Sequence, residues 1–331
     1  MKRLHRRNNI LVLFGILVLF LVILFCGIRL LDSAVFSKTE IPETEGSYNR
    51  KTITVDGVDY FPRQDLTVVL AMGIDEEGKA QSSDSYRNMG EADVIALIVF
   101  DEKEEHFSIF SLNRDTMVNM PVLGLGGKKA GVAYGQLALS HTYGNGLEES
   151  CENTRDTVEM LINGLNVDYY ISAHMDAIGF VNDAVGGVTV NVTDDFSDAD
   201  VYIPMGQITL QGEQAESFVR LRKGIGDQLN SSRMNRQAEF INGFIKALKS
   251  QTEENDVFAY QLYEQLDGYI VTDVSVNSFS SMFERFEDYE LKEIITPAGE
   301  NRMGKEFNEF HLDKEAFDKQ VLEIFYAPKG Q

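Results

Sequence analysis

Residues 66–75 read LTVVLAMGID, residues 93–100 read DVIALIVF and residues 106–115 read HFSIFSLNRD. Each contains a short, nearly continuous apolar run, the pattern of a strand covered on both faces rather than one with a wet side. Outward from these runs, helical and strand patterns alternate. LEESCENTRDTVEMLINGL (147–165) is an amphipathic helix closed by Gly164, and DYYISAH (168–174) is a strand. MDAIGFVNDAV, Gly186-Gly187 and VTVNV (175–192) give a helix, a glycine stop and a strand. GEQAESFVRLRK (212–223) and SRMNRQAEFINGFIKALKS (232–250) read as two further helices. GYIVTDVSV (268–276) is strand-like, whereas MFERF (282–286) and KEAFDKQVLEIFY (314–326) are helix-like. No repeat, low-complexity tract or proline-rich hinge interrupts this stretch. The pattern predicts one α/β domain over residues 66–327, a three-layer α-β-α arrangement around a central mixed sheet.

Ahead of it lies ILVLFGILVLFLVILFCGI (10–28), free of charge and long enough to span a bilayer as a helix. Its flank, MKRLHRRNN, is strongly basic, so the positive-inside rule places residues 1–9 in the cytoplasm. A cleaved signal peptide fits less well, because the apolar stretch is long and LLDSAVFS offers a poor cleavage pattern. The expected organisation is a cytoplasmic tip (1–9), a transmembrane signal-anchor (10–31) and an extracellular stalk with a hairpin (32–65), followed by the extracellular domain. The hairpin is KTITV and VDYF joined by Asp56-Gly57. The protein is expected at the cell membrane, single-pass, in contact with membrane lipid.

The full chain of 331 residues has net charge −22 and a pI near 4.6. Setting aside the five bases of residues 1–31 brings the remainder to −27. Such acidity argues against a nucleic-acid partner. Two cysteines, Cys26 and Cys151, form neither a zinc Cys₄ site nor a disulfide framework, and Cys151 reads as a buried inert thiol. GxGxxG, GxSxG and HExxH are absent. GLGGKKAG (124–131) lacks the spacing of a phosphate loop and reads as a surface turn. His106, His141, His174 and His311 are isolated in sequence and read as structural or exposed.

Two constellations carry chemistry. Asp75 closes one strand and Asp93 opens the next, and carboxylates at strand ends facing one crevice suit a hard ion such as Mg²⁺. Aspartates also commonly end strands in turns, so neither residue is decisive alone. The second constellation is basic: Arg220, Arg222, Lys223, Arg233 and Arg236 crowd a short stretch whose only acid is Asp227. Arg233, Arg236 and Gln237 share the helical stripe of Phe240, Phe244 and Leu248, the face expected to meet the core. Arginines there occupy the first helical turn, where the dipole disfavours cations, which makes sense if an anion binds. A structural network with Asp227, Glu213 or Glu239 is the competing explanation. Arg114, directly after the strand HFSIFSL, would join them in a pyrophosphate–metal site.

The ordered blocks GID, ADV, SLNRDTM, DYYISAHMD, DAVGGVTVNV, LQGEQAESFVRLRK and SRMNRQ resemble the LytR–CpsA–Psr family from residue 66 to 250, with TDVSV as a continuation. The resemblance implies an envelope phosphotransferase of mainly Gram-positive bacteria. Such an enzyme moves a glycopolymer from an undecaprenyl-pyrophosphate carrier to the muramic acid 6-hydroxyl of peptidoglycan, forming a phosphodiester. It further implies that Asp75 and Asp93 hold Mg²⁺ (or Mn²⁺) and act at the acceptor. Arg114 and Arg222 belong to the catalytic set, and Arg220, Arg222, Arg233 and Arg236, with Gln237, bind the pyrophosphate. Two departures stand out: Glu91 occupies a position where relatives often carry arginine, and Glu76-Glu77-Gly78 follows Asp75 where many have one. Both remove positive charge beside the phosphates. A hydrolase acting on the same lipid pyrophosphate, and a non-catalytic envelope receptor or regulator, fit the same anion site. A transcription factor does not, since nine residues precede the apolar run.

Overall fold

The computed structural model describes residues 52–83, 90–124, 127–174 and 176–221. It also describes Ile225, Arg236 and 239–329 apart from 241, 245, 249, 252–253, 256–257, 267, 276–277, 279–280, 283–284, 287–288 and 306. The expected signal-anchor lies outside these residues. Among those described, no helix is long and apolar enough to cross a membrane.

In chain order the elements are β1 (Ile53–Val55), β2 (Val58–Pro62), β3 (Leu66–Ile74), β4 (Ala92–Asp101), β5 (His106–Leu112), β6 (Met117–Leu123) and β7 (Lys129–Gln136). A 3-10 helix (Leu137–Thr142) leads to α1 (Glu148–Leu161), β8 (Tyr169–His174), α2 (Ala177–Ala184), β9 (Thr189–Val192), β10 (Gly206–Thr209) and α3 (Glu213–Arg220). Described residues between 236 and 251 are helical. The chain closes with α4 (Phe258–Gln265), β11 (Ile270–Thr272), β12 (Glu290–Ile295), β13 (Gly299–Met303), β14 (Asn308–Leu312), α5 (Lys314–Phe325) and β15 (Tyr326–Pro328).

Six strands form the central sheet in the order β11-β8-β3-β4-β5-β12. It is mixed: β3 runs parallel to β8 and β5 to β12, while β3–β4, β4–β5 and β8–β11 are antiparallel. Alternation along its strands feeds two cores. Val68, Leu70, Met72, Ile95, Leu97 and Val99 pack with Cys151 and Val158 of α1 and Phe317, Val321 and Phe325 of α5. Val69, Ala71, Val94, Ala96 and Ile98 pack with Ile178 of α2, Phe218 of α3, and Phe240, Phe244 and Leu248. The continuous apolar runs thus serve two helical layers at once, as predicted.

One irregularity matters for function. Gly73 pairs with Val94 but Ile74 pairs with Ala92, so Asp93 is an extra residue on β4. Such a β-bulge breaks the alternation and re-aims a side chain. Ala92 and Val94 consequently pack into opposite cores despite being two residues apart.

The remaining strands lie outside the central sheet. β6 and β7 form a hairpin whose turn holds Gly124, Gly127 and Lys128, while residues 129–131 of the expected surface turn GLGGKKAG instead open β7. The β13–β14 hairpin and the β9–β10 pair complete the described small sheets with β1–β2–β15. Asp56 and Gly57 take φ of 51° and 79°, the left-handed pair a tight hairpin turn requires. β15 adds to β2 by pairing Tyr326 with Pro62, so the hairpin expected in the stalk is joined to the C-terminal strand.

Candidate active site

Strand directions bring four segments to one end of the central sheet: the end of β3, the start of β4, the end of β5 and the end of β8. Asp75 follows β3 immediately, and its N–H donates to the Glu91 carbonyl at 3.1 Å. Asp93, the bulge residue, is fully buried, at 0% exposure. Arg114, just beyond β5, is 4% exposed. Its Nη1 is ion-paired with Asp93 Oδ1, and its Nη2 donates to Glu91 Oε2 at 2.5 Å. Nε lies 3.6 Å from an oxygen of Asp115, which also accepts from Gln136 Nε2 at 2.8 Å. Asp75, Asp93 and Arg114, expected together from sequence, are therefore gathered at one sheet end. The partnership of Glu91 with Arg114 was not expected. Its only sequence signal was a carboxylate in a place where charge of the other sign would suit a phosphate.

Behind this cluster lies a buried polar layer. The His141 ring meets the Gly90 carbonyl through Nδ1 at 2.9 Å, and Nε2 faces Cys151 Sγ at 3.8 Å. Since a carbonyl only accepts, Nδ1 carries the proton. Burial pushes the His141 pKa down to about 4 and the Cys151 thiol up to about 12, so both are neutral near pH 7. Cys151 donates to Ser172 Oγ at 3.3 Å. The cysteine is inert, as its lone position suggested. His141 pins the residue that precedes Glu91, and His174, also buried, is held neutral by desolvation.

The basic constellation divides. Arg222, Arg233 and Gln237 lie outside the described residues. Arg220, in the last turn of α3, pairs with Glu216 at 2.5 Å on the helix surface. Arg236 is 4% exposed, and its stripe faces the core as predicted. Its Nε donates to the Phe218 carbonyl at 2.8 Å, Nη2 to the Leu221 carbonyl and Nη1 to Asp194, while the guanidinium lies over the Phe196 ring. Arg236 therefore clasps the end of α3, supplying donors to carbonyls that the helix leaves open. This explains why α3 stops at Arg220, short of the helix expected through Lys223: Leu221 turns extended, with ψ 138°. Asp194 is an acid partner of Arg236 that the sequence did not suggest, and Asp227, expected in a structural network, lies outside the described residues.

The donor set suits a hard cation. Asp93 Oδ2 is buried without a hydrogen-bond partner among the described residues, and the half-buried Asp75 stands at the adjoining strand end. A buried carboxylate oxygen left without a donor is costly unless something positive meets it. Among the described residues no cluster of three or more His, Cys, Asp or Glu has metal-holding geometry.

A mixed sheet between two helical layers, with a buried arginine–carboxylate cluster at one end, places the chain among three-layer α/β proteins. The LytR_cpsA_psr family model matches residues 33–323, and the chain belongs to that family. The polyisoprenyl-teichoic acid–peptidoglycan teichoic acid transferase TagU of Enterococcus faecalis is 29% identical over 255 residues, covering 76% of this chain and 73% of that protein. Its namesake in Oceanobacillus iheyensis is 28% identical over 215 residues, covering 63% of this chain and 60% of that protein; the chain spans about three fifths of that relative's length. Among solved structures, gbs0355 of Streptococcus agalactiae gives a TM-score of 0.59 at 19% identity, covering 78% of this chain and 87% of that one. TagT bound to LIIa-WTA gives 0.55 at 24%, covering 79% and 90%. These structural likenesses establish the fold.

Proposed function

We propose that this protein transfers a glycopolymer from an undecaprenyl-pyrophosphate carrier to peptidoglycan muramic acid, forming a phosphodiester. The observation that carries the reading is the Arg114 guanidinium, buried at a sheet end beside an Asp93 oxygen that lacks a donor among the described residues. Family membership and the teichoic acid transferase relatives support it. We further place the domain outside the cell, tethered by residues 10–31 with the N-terminus in the cytoplasm.

Phosphoryl transfer needs positioning and charge stabilisation more than covalent chemistry. Arg220, Arg222 and Arg233, with Gln237, would bind the pyrophosphate. Arg236 holds the Phe218 and Leu221 carbonyls at the end of α3 and so would act as a positioning residue. Asp75 and Asp93 would hold Mg²⁺ or Mn²⁺, which supplies charge neutralisation at the phosphates when bound. Asp75 is half-buried while Asp93 is sealed and paired with Arg114, so Asp75 is the better placed to take the acceptor hydroxyl's proton. That oxygen attacks the phosphorus nearest the glycan, the bond to the bridging oxygen breaks, and lipid monophosphate leaves. Arg114 stabilises the charge that develops.

Full-length protein in detergent micelles, a synthetic lipid-pyrophosphate-linked sugar, Mg²⁺ and peptidoglycan oligomers, with products read by mass spectrometry, test this. The expected product is a sugar-phosphate adduct on muramic acid, lost in Asp75→Ala and Arg222→Ala. Arg114→Lys keeps the charge but loses the fork, and should slow transfer about 100-fold. Free sugar phosphate with no adduct would make the protein a lipid-pyrophosphate hydrolase, and lipid binding without turnover would make it a receptor.

A further inference from the structure

The cluster around Arg114 carries more negative charge than an anion site should. Asp75, Glu91, Asp93 and Asp115 share this sheet end, and three of them lie on the one guanidinium: Glu91 at Nη2, Asp93 at Nη1 and Asp115 near Nε. Their burial differs. Asp93 is sealed, whereas the Glu91 side chain keeps 17% of its surface exposed and sits closer to the guanidinium than the comparably exposed Asp115, at 2.5 Å against 3.6 Å. Its place is fixed from two sides: the Glu91 carbonyl accepts from Asp75 N–H, and the preceding carbonyl of Gly90 meets the His141 ring. A pyrophosphate approaching Arg114 must compete with an internal anion already seated at 2.5 Å.

We propose that Glu91 makes pyrophosphate binding conditional on a divalent cation. In cation-free protein, Glu91 occupies Arg114 and repels the incoming anion. When the ligand arrives as its cation complex, its reduced charge lifts that repulsion. Glu91 thereby selects the metal-complexed pyrophosphate over the free anion, and is a specificity-determining residue rather than a passive partner of Arg114. The inference rests on the phosphotransferase reading, since that reading supplies the pyrophosphate.

The test titrates inorganic pyrophosphate into the full-length protein by calorimetry, once in EDTA and once in Mg²⁺, for the native chain, Glu91→Gln and Glu91→Asp. Removing one charge at this distance should tighten cation-free binding about tenfold in Glu91→Gln and shrink the gain from Mg²⁺ by the same factor. Glu91→Asp, which keeps the charge, should retain the native dependence. If Glu91→Gln does not fold, as judged by thermal unfolding, Glu91→Ala takes its place with the same expectation. Equal or weaker cation-free binding in the charge-removed variant, with native binding intact in Mg²⁺, would overturn the conditional role and leave the transferase reading standing. No pyrophosphate binding by native protein under either condition would overturn the transferase reading, and this inference with it.

Discussion

His141 shows what one buried side chain does here. Its Nδ1–H holds the Gly90 carbonyl, and desolvation lowers its pKa from 6.5 to about 4. The folded state therefore binds its proton less readily than the unfolded state. Stability from the neutral ring is fully present above pH 6.5, declines as pH falls, and is lost once pH drops through about 4. The loss amounts to about 3 kcal/mol. Urea unfolding between pH 7 and pH 4 should show that decline, and His141→Gln, which still donates a hydrogen bond but does not titrate, should flatten it. At this scale the sequence was uneven. Asp75, Asp93 and Arg114 were legible because strand ends marked them. The Arg236–Asp194 clasp was not, since its partners lie 42 residues apart with no local pattern joining them.

Elements were legible in proportion to their burial. β3 and β4 are buried almost throughout, and their composition announces it. β13 is exposed along its whole length and most of β7 is exposed too, so neither GENRM nor KAGVAYGQ has an apolar rhythm to read. Those hairpins are held by pairing and by their neighbours: Phe310 of β14 donates its N–H to the Asp115 carbonyl, next to Arg114. Packing between elements supplies a sharp test at Gly243. A Cβ there would lie 2.5 Å from the Thr189 carbonyl and 2.8 Å from a Val188 methyl, because the helical segment 236–251 presses directly on β9. Gly243→Ala should cost about 2 kcal/mol in denaturant unfolding. Pyrophosphate binding should weaken as well, since Arg236 of the same segment makes the clasp on α3.

For the molecule as a whole, the first and last described strands share one small sheet. β2 lies between β1 and β15, and Tyr326 of β15 is buried against the core that α5 covers. Arg63, just past β2, ties this corner to the central sheet through Asp101, with Nη1 and Nη2 both at 2.8 Å. Deleting residues 326–331 removes β15 and the Tyr326 side chain, and should lower the thermal midpoint by roughly 5 °C while leaving the central sheet intact. Circular dichroism would show both. The same corner has a mechanical meaning for a chain drawn from its N-terminus. Tension at residue 52 acts on the open end of the β1–β2 hairpin, pulling Ile53 from Tyr60, then Thr54 from Asp59, then Val55 from Val58. Bonds loaded in succession yield at low force, and β1 has little buried surface to resist with. β2, gripped from its other side by β15, stays in place. The hairpin is therefore a fuse: drag on the domain opens three residue pairs before any load reaches the strand that positions Asp93.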